Sequence, residues 1–399
     1  MGEKMSIELT EKQAEGLRVA VERYNQRQPW TCIAGYAGSG KSTLIKFIIS
    51  ALGVNPEEEV CYVAFTGKAA TVLQQKGCPN AMTAHKLLYK AKPMPNGTYK
   101  FIPKLDLGEY KVIVVDEVSM LPRPMWEKLV SHGIYILATG DPGQLPPINP
   151  DDDNHVLDNP HVFLDEIMRQ AQNSEIIRLS MWIREGKPLA QFPCKGEQVQ
   201  IFTKGQVVEG MYGWADQILC ATNNMRNEIN TIVRNQKGYG PEPEAGDKII
   251  SLRNHWEFFS RTGDWALTNG SIGTIDSFHR EIRYCPPWIS KDPVTYMFTN
   301  MSIEDGDTFS SIPVDYQALT TGKAALDNRQ AYQLSKYNKM EAPYDFAYAY
   351  AITTHKAQGS EWGKVLIFEE GFPFEAEEHK RWLYTAVTRA SDKVVIVRK

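Results

Sequence analysis

At 399 residues, with 42% hydrophobic and 23% charged residues, the chain is longer than one core usually organises and has the composition of an ordinary globular protein. Its net charge of -4 and pI near 6.1 give no overall attraction to nucleic acid, so any such binding requires a local groove. Apolar runs are too short to span a bilayer, Met1 to Ser6 lack the apolar core of a signal peptide, and the six cysteines show no C-x-x-C spacing, so a cytoplasmic protein with reduced, structural thiols and no membrane partner is expected.

The first element runs from Leu9 to about Tyr24. Thr10 with Gln13 three residues on is a capping-box pair ahead of an amphipathic helix. Gln13 is either a cap alone or a cap that also recognises an adenine ring. Residues 30–34 read as a buried strand, and Gly35-Tyr36-Ala37-Gly38-Ser39-Gly40-Lys41-Ser42 then fits the P-loop pattern G-x-x-x-x-G-K-[ST] before a helix over 41–52. The glycines let backbone N–H groups turn inward around phosphate oxygens, and the helix offers its positive N-terminus to the same anion. Lys41 reaches the outer phosphates and Ser42 supplies a hydroxyl for Mg²⁺. A nucleotide-binding protein follows.

A second strand over 60–65 runs into Thr66-Gly67-Lys68-Ala69-Ala70, where a helix begins. A third over 111–115 runs into Asp116-Glu117-Val118-Ser119, and a fourth over 134–138 runs into Thr139-Gly140-Asp141-Pro142-Gly143-Gln144-Leu145-Pro146-Pro147. Polar residues thus recur just past the carboxyl ends of buried strands, where open parallel sheets hold ligands. Asp116-Glu117 has the Walker B form: the first carboxylate serves Mg²⁺ and the second can orient and deprotonate a water. Between the second and third strands come Thr83-Ala84-His85-Lys86 and then a hairpin over 89–103. Its turn is Asn96-Gly97, and lysines, Tyr99 and Phe101 decorate it. It is either a surface hairpin or a working protrusion.

From 163 to 186 the chain reads as helical, with Ser174 as a cap and Gly186 as the stop. Apolar strands at 218–221, 348–352, 365–368 and 394–397 suggest a second α/β unit. Residues 240–343, richer in glycine and proline and with turns at Thr262-Gly263-Asp264 and Asn269-Gly270, read as a mainly β insertion.

Taken in order, Gln13, the P-loop, Thr66-Gly67-Lys68, Thr83-Ala84-His85-Lys86, Asp116-Glu117-Val118-Ser119, Gly140 to Pro147, Met168-Arg169-Gln170, Thr353-Thr354-His355-Lys356-Ala357-Gln358-Gly359-Ser360-Glu361 and Tyr384-Thr385-Ala386-Val387-Thr388-Arg389-Ala390 form an ordered series. In this series the chain resembles the superfamily 1B DNA helicases, most closely the phage Dda-type and RecD-like group. The resemblance implies an α/β fold with two RecA-like P-loop domains, 1A over 1–88 and 104–165 and 2A over 166–240 and 343–399. It also implies a strand-separating pin at 89–103 and an SH3-like domain 2B at 241–342. ATP with Mg²⁺ would lie between the two domains, held by Gln13, Gly35, Ala37, Gly38, Ser39, Gly40, Lys41, Ser42 and Thr43, then Asp116, Gln144, Gly359 and Glu361. Arg169 and Arg389 would approach the γ-phosphate. Single-stranded DNA would lie across Thr66, Lys68, His85, Lys86, Thr353, His355 and Lys356, with Tyr99 and Phe101 on the pin, and movement would be 5′ to 3′. The implied protein is a monomer acting at single-strand/duplex junctions beside single-strand-binding, replisome or recombination proteins. Two neighbouring readings are a motor subunit of a larger recombination or nuclease complex and a single-stranded DNA-binding module with weak ATPase. A small-molecule kinase on the same P-loop would leave the late arginines and the second α/β unit without a role.

Overall fold

A strand covered by helices on both faces must be apolar on both, and β1 (Trp30–Gly35) is buried from Thr31 onward. In the computed structural model, which describes residues 9–93, 99–146, 150–168, 172–253, 255–262, 266–303, 307–338, 342–371 and 375–398, this strand lies inside the first of two parallel sheets. Chain order continues with β2 (Val60–Ala64), β3 (Ala81–Thr83), β4 (Tyr89–Pro93), β5 (Tyr99–Pro103), β6 (Val112–Val115), β7 (Tyr135–Gly140) and β8 (Val162–Leu164). The six-stranded order is β3-β2-β6-β7-β1-β8, all parallel, while β4 and β5 pair apart from it as an antiparallel hairpin. Successive residues feed opposite faces. Ile33, Tyr62, Val112 and Leu137 pack under α1 (Glu11–Asn25) and α2 (Lys41–Leu52), whereas Cys32, Cys61, Ile113 and Ile136 pack on the other side. There they meet α4 (Ala84–Leu88) and α5 (Arg123–Val130); α3 (Gly67–Gln75) follows β2.

The second parallel sheet is built from β9 (Val199–Thr203), β10 (Gln217–Cys220), β18 (Ala351–Thr353), β19 (Trp362–Phe368) and β20 (Ala390–Arg398), in the order β18-β10-β19-β20-β9. The insertion supplies β11 (Lys248–Ser251), β12 (His255–Phe259), β13 (Ala266–Leu267), β14 (Ile272–Arg283), β15 (Val294–Ile303), β16 (Thr308–Asp315) and β17 (Phe346–Tyr348). Its main sheet is antiparallel, β16-β15-β14-β11-β17, with β12 and β13 as a separate ribbon. Two expectations change. The helical stretch expected from 163 begins as strand β8, and its described helix is Glu175–Arg184, capped by Ser174. The single strand expected over 348–352 is two: β17 pairs with β11 and β18 with β10, so the chain crosses between sheets at Ala349-Tyr350. The insertion's sheet therefore extends beyond residue 342. The Asn96-Gly97 turn and residues 263–264 of the other expected turn lie outside the described residues.

Among the described residues no helix is long and apolar enough to cross a membrane. The six cysteines are free thiols, and burial pushes those of Cys32 and Cys61 up to about 12.

The joint between the insertion and the second parallel sheet is ionic. On the Asn223–Gln236 helix, Arg234 donates from Nε and Nη2 to the carboxylate of Asp247 at 2.9 and 3.1 Å, and Tyr350 donates its hydroxyl to the same group at 3.0 Å. Both charges are buried. Removing one partner strands the other, so Asp247→Ala is expected to cost about 3–5 kcal/mol. A thermal melt followed by circular dichroism checks this; an unchanged melting temperature would show that the pair is dispensable.

Candidate functional site

The P-loop folds as its glycines require. Gly38 and Gly40 hold φ of 77° and 80°, and at Gly40 a Cβ would fall 2.5 Å from Gln13 Nε2. Gln13 is fully committed: its Oε1 accepts from the Thr10 N–H at 3.1 Å, completing the capping box, and its Nε2 donates to the Ser39 carbonyl at 3.1 Å. The residue thus joins the end of α1 to the P-loop. Lys41 donates from Nζ to the Gly35 and Tyr36 carbonyls at 2.7 and 3.0 Å, which places its ammonium in the mouth of the loop. Ser39 Oγ is buried and without a hydrogen-bond partner among the described residues.

The carboxyl end of β6 adds the acids. Thr139 Oγ1 and the Glu117 N–H both donate to Asp116 Oδ1, at 3.0 and 3.1 Å, fixing that side chain by one oxygen. Glu117 has a left-handed backbone, φ 48°, a conformation costing on the order of 1 kcal/mol in a non-glycine residue. Its Oε2 is buried without a partner among the described residues. Burial pushes the Glu117 carboxyl up, Arg389 facing it offsets part of that, and the charges of Asp116 and Asp141 add to the rise. Ser42, Thr66, Asp116, Glu117, Gly359, Glu361 and Arg389 line one cleft between the two parallel sheets.

Arg389 comes from the second sheet's side and is itself buried. It donates to the carbonyls of Thr385 and Ser360 at 3.1 and 3.2 Å, and its Nη1 lies 3.6 Å from Glu117 Oε1. Gly359, with φ 73°, presents its bare Cα toward Thr66, Ala69 and Glu117; a Cβ there would fall 3.4 to 3.7 Å from them. Glu361 pairs with Lys76 at 3.4 Å on the rim, where such a pair is worth about 0–1 kcal/mol. Gln144 closes a tight turn by donating its N–H to the Asp141 carbonyl at 3.2 Å. Arg169 lies outside the described residues; its neighbour Met168 donates its N–H to the Gly38 carbonyl at 3.0 Å.

The residues proposed from the sequence to meet DNA divide. Thr66 caps α3 by accepting from the Ala69 N–H, and it lines the acidic cleft beside Glu117. His85 on α4 sits near the rings of Phe65 and Tyr89, and burial pushes its pKa down to about 4, so it is neutral at pH 7. Burial also lowers His355. Lys86 is exposed, Thr353 stands half-buried at the end of β18, and Lys356 donates its amine to Asn269 Oδ1 in the insertion. The side chains of Lys68, Tyr99 and Phe101 lie outside what is described, although the backbone register pairs Ala91 with Phe101 and Pro93 with Tyr99.

Sequence reasoning did not assign a role to Tyr384. Its hydroxyl accepts from the Ala37 N–H at 2.9 Å and donates to Asp141 Oδ2 at 2.6 Å. Beside it, the Leu145 N–H donates to Thr385 Oγ1 at 2.8 Å, and Gln358 Nε2 donates to the Leu145 carbonyl at 2.8 Å.

Residues 8–204 match the AAA domain family and residues 348–397 the UvrD-like helicase C-terminal domain. The chain is 26% identical over 252 residues to the ATP-dependent DNA helicase dda of Enterobacteria phage T4, covering 57% of each. It is 26% identical over 371 residues to the ATP-dependent RecD2 DNA helicase of Deinococcus radiodurans, covering 90% of this chain and 46% of that one. The chain thus spans about half the length of the curated relatives it matches. Its fold is that of Bacteroides Pif1 bound to single-stranded DNA, with a TM-score of 0.53 at 17% identity over 98% of this chain and 92% of the other.

Arg389→Ala removes the cation that faces Glu117. Nucleotide hydrolysis is expected to lose about 10³-fold in kcat, with nucleotide affinity changed by less than about threefold. Steady-state kinetics beside equilibrium nucleotide binding check this, and a loss confined to affinity would make the arginine a ground-state contact.

Proposed function

The chain belongs to superfamily 1B of the helicases, the Pif1/RecD/Dda-like group, and from that premise we propose an ATP-dependent DNA helicase that moves 5′ to 3′ on single-stranded DNA and opens duplex at junctions. The observation that carries the reading is the 3.6 Å approach of Arg389 to Glu117, because it joins a cation of one RecA-like domain to the Walker B acid of the other. A P-loop alone would serve a kinase equally well. A cleft completed from two domains makes hydrolysis depend on closure, and closure is the stroke a motor needs.

In this reading the P-loop amides, Lys41 and Thr43 hold the phosphates, Glu117 orients a water and takes its proton, and Arg389 with Arg169 stabilises charge on the outgoing phosphoryl group. Gln144 senses the γ-phosphate. Ser42 and Asp116 line the same cleft and offer the hard oxygen donors that suit Mg²⁺, which when bound neutralises phosphate charge.

Lys68, Lys86, Thr353 and Lys356 would meet the DNA backbone without reading its sequence. His85 and His355, neutral through burial, suit stacking on a base or a neutral hydrogen bond better than pairing with phosphate. The hairpin is the proposed pin. Its described Ile102, paired with Lys90, is exposed, adding an apolar candidate to Tyr99 and Phe101. The protein works as a monomer beside single-strand-binding, replisome or recombination proteins.

Three variants test the proposal. Glu117→Gln is expected to keep ATP and DNA binding while turnover falls about 10²-fold or more, and Lys41→Ala to abolish hydrolysis with an unchanged melt. Near-normal turnover in either variant, or an ATPase indifferent to single-stranded DNA, would remove the assignment. Phe101→Ala should reduce unwinding of a 5′-tailed duplex far more than it reduces DNA-stimulated ATPase, since stacking on a base is worth about 1–3 kcal/mol. A parallel fall of both activities with a lower melting temperature would instead make Phe101 a packing residue.

A further inference from the structure

The P-loop is gripped at two successive residues by groups that come from the second parallel sheet's side. Arg184, ending the Glu175–Arg184 helix, places its guanidinium 3.4 Å from the centroid of the Tyr36 ring. Tyr384, on the Ala376–Val387 helix, takes the next residue's amide, the Ala37 N–H, on its hydroxyl oxygen. The same hydroxyl gives its proton to Asp141 Oδ2, while Asp141 Oδ1 accepts from the Gly143 N–H at 2.9 Å. Tyr384 is 1% exposed and Asp141 4%, so the bond between them is shielded from water, whereas Ala37 is half-buried. The ring is seated closely: a Cβ on Gly143 would lie 3.1 Å from Tyr384 Cε1.

A phenol has one proton to give and two lone pairs to receive with. Tyr384 gives to the loop carrying Gln144 and receives from the P-loop, so one oxygen atom ties together the two loops that surround a bound triphosphate. The Ala37 N–H belongs to the set of amides that a P-loop turns toward phosphate, and a single well-aligned N–H serves one strong acceptor at a time. A phosphate oxygen and the Tyr384 hydroxyl therefore compete for it.

Resting on the reading of this cleft as a nucleotide-hydrolysing site, we propose that Tyr384 is a positioning residue that holds the Ala37 amide while no triphosphate is bound and yields it when one arrives. After the exchange the hydroxyl keeps its bond to Asp141, so nucleotide arrival is felt by the Asp141–Gln144 turn and by the helix that leads to Arg389. The tyrosine bonds Asp141 and the Ala37 amide rather than Asp116 or Glu117; it acts through the two loops.

The test compares Tyr384→Phe, which keeps the ring, with Asp141→Asn, which discharges the carboxylate but leaves the hydroxyl on the Ala37 N–H. Binding of a non-hydrolysable ATP analogue without DNA should tighten about three- to tenfold in Tyr384→Phe, since a competing hydrogen bond is gone. It should stay near the parent value in Asp141→Asn. In the same Tyr384→Phe protein kcat with single-stranded DNA should fall, so affinity and turnover move in opposite directions, a split that a packing role does not produce. The double variant Tyr384→Phe/Asp141→Asn removes the stranded charge and must show the same gain in affinity, which keeps the test open if the single variant folds poorly. Unchanged or weaker analogue binding in the tyrosine variants overturns the proposal, as does an equal gain in Asp141→Asn. A parent protein whose hydrolysis ignores DNA would end the helicase reading and leave the binding comparison still decisive for the tyrosine.

Discussion

Glu117 is a carboxylate held where burial favours its neutral form, and the cation paired with it, Arg389, belongs to the other half of the molecule. On the proposed reading Glu117 is a general base and must be ionised to accept a proton; Arg389, from the other sheet's side, favours that form most, and Lys41 of the P-loop adds to it. Asp116 and Asp141 lie near enough to push Glu117 further toward protonation. On that reading the Arg389 contact couples the chemistry at Glu117 to the position of the other parallel-sheet unit.

The joint that brings Arg389 into place is a set of small directional bonds around one apolar plug. Leu145 leaves the first parallel sheet's loop and packs among Ile176, Leu179, Trp382 and Leu383 of the second unit's core. Both of its peptide groups are satisfied from that unit, the N–H by Thr385 and the carbonyl by Gln358. Each such bond is worth about 0.5–1.5 kcal/mol net. The sum favours the closed arrangement yet leaves it reversible, and the exposed Lys76–Glu361 pair adds little.

How much of this was legible in the sequence follows the range of each signal. The P-loop, the Asp116-Glu117 pair and the strands before them are local patterns, and strands buried on both faces stand out as continuous apolar runs. Strands β3 and β8 have three residues each, and β9 lies at the edge of its sheet with mixed burial, so none carries a run long enough to recognise. Residues 348–352 read as one strand because the ends of β17 and β18 that they join are both apolar; only pairing with different sheets separates them. Gln13 was readable as a cap, but its second bond, to the Ser39 carbonyl, lies 26 residues away. Tyr384 meets Asp141 across 243 residues, and nothing in its local pattern distinguishes a buried tyrosine that bonds from one that merely packs.

The insertion extends the same logic to the surface proposed for DNA. Its Thr268–Ser271 turn, in which Thr268 donates its N–H to Ser271 Oγ at 3.0 Å, reaches back to both parallel-sheet units. On one side Thr268 Oγ1 would stand 3.2 Å from a Cβ on Gly67, at the start of α3; on the other Asn269 accepts from Lys356, just beyond β18. Gly67 and Lys356 thus sit at equivalent places, past the carboxyl ends of β2 and β18, and one turn of the β insertion touches both. Burial lowers the Lys356 ammonium's pKa, with Arg226 adding to that, so its charge is costly to hold there and a phosphate arriving beside it would be welcomed more strongly than at an exposed lysine. On the proposed reading, a strand of DNA laid along these strand ends would pass under that turn. The turn spans the joint between the two domains, so whatever moves Arg389 against Glu117 also moves the roof over the DNA.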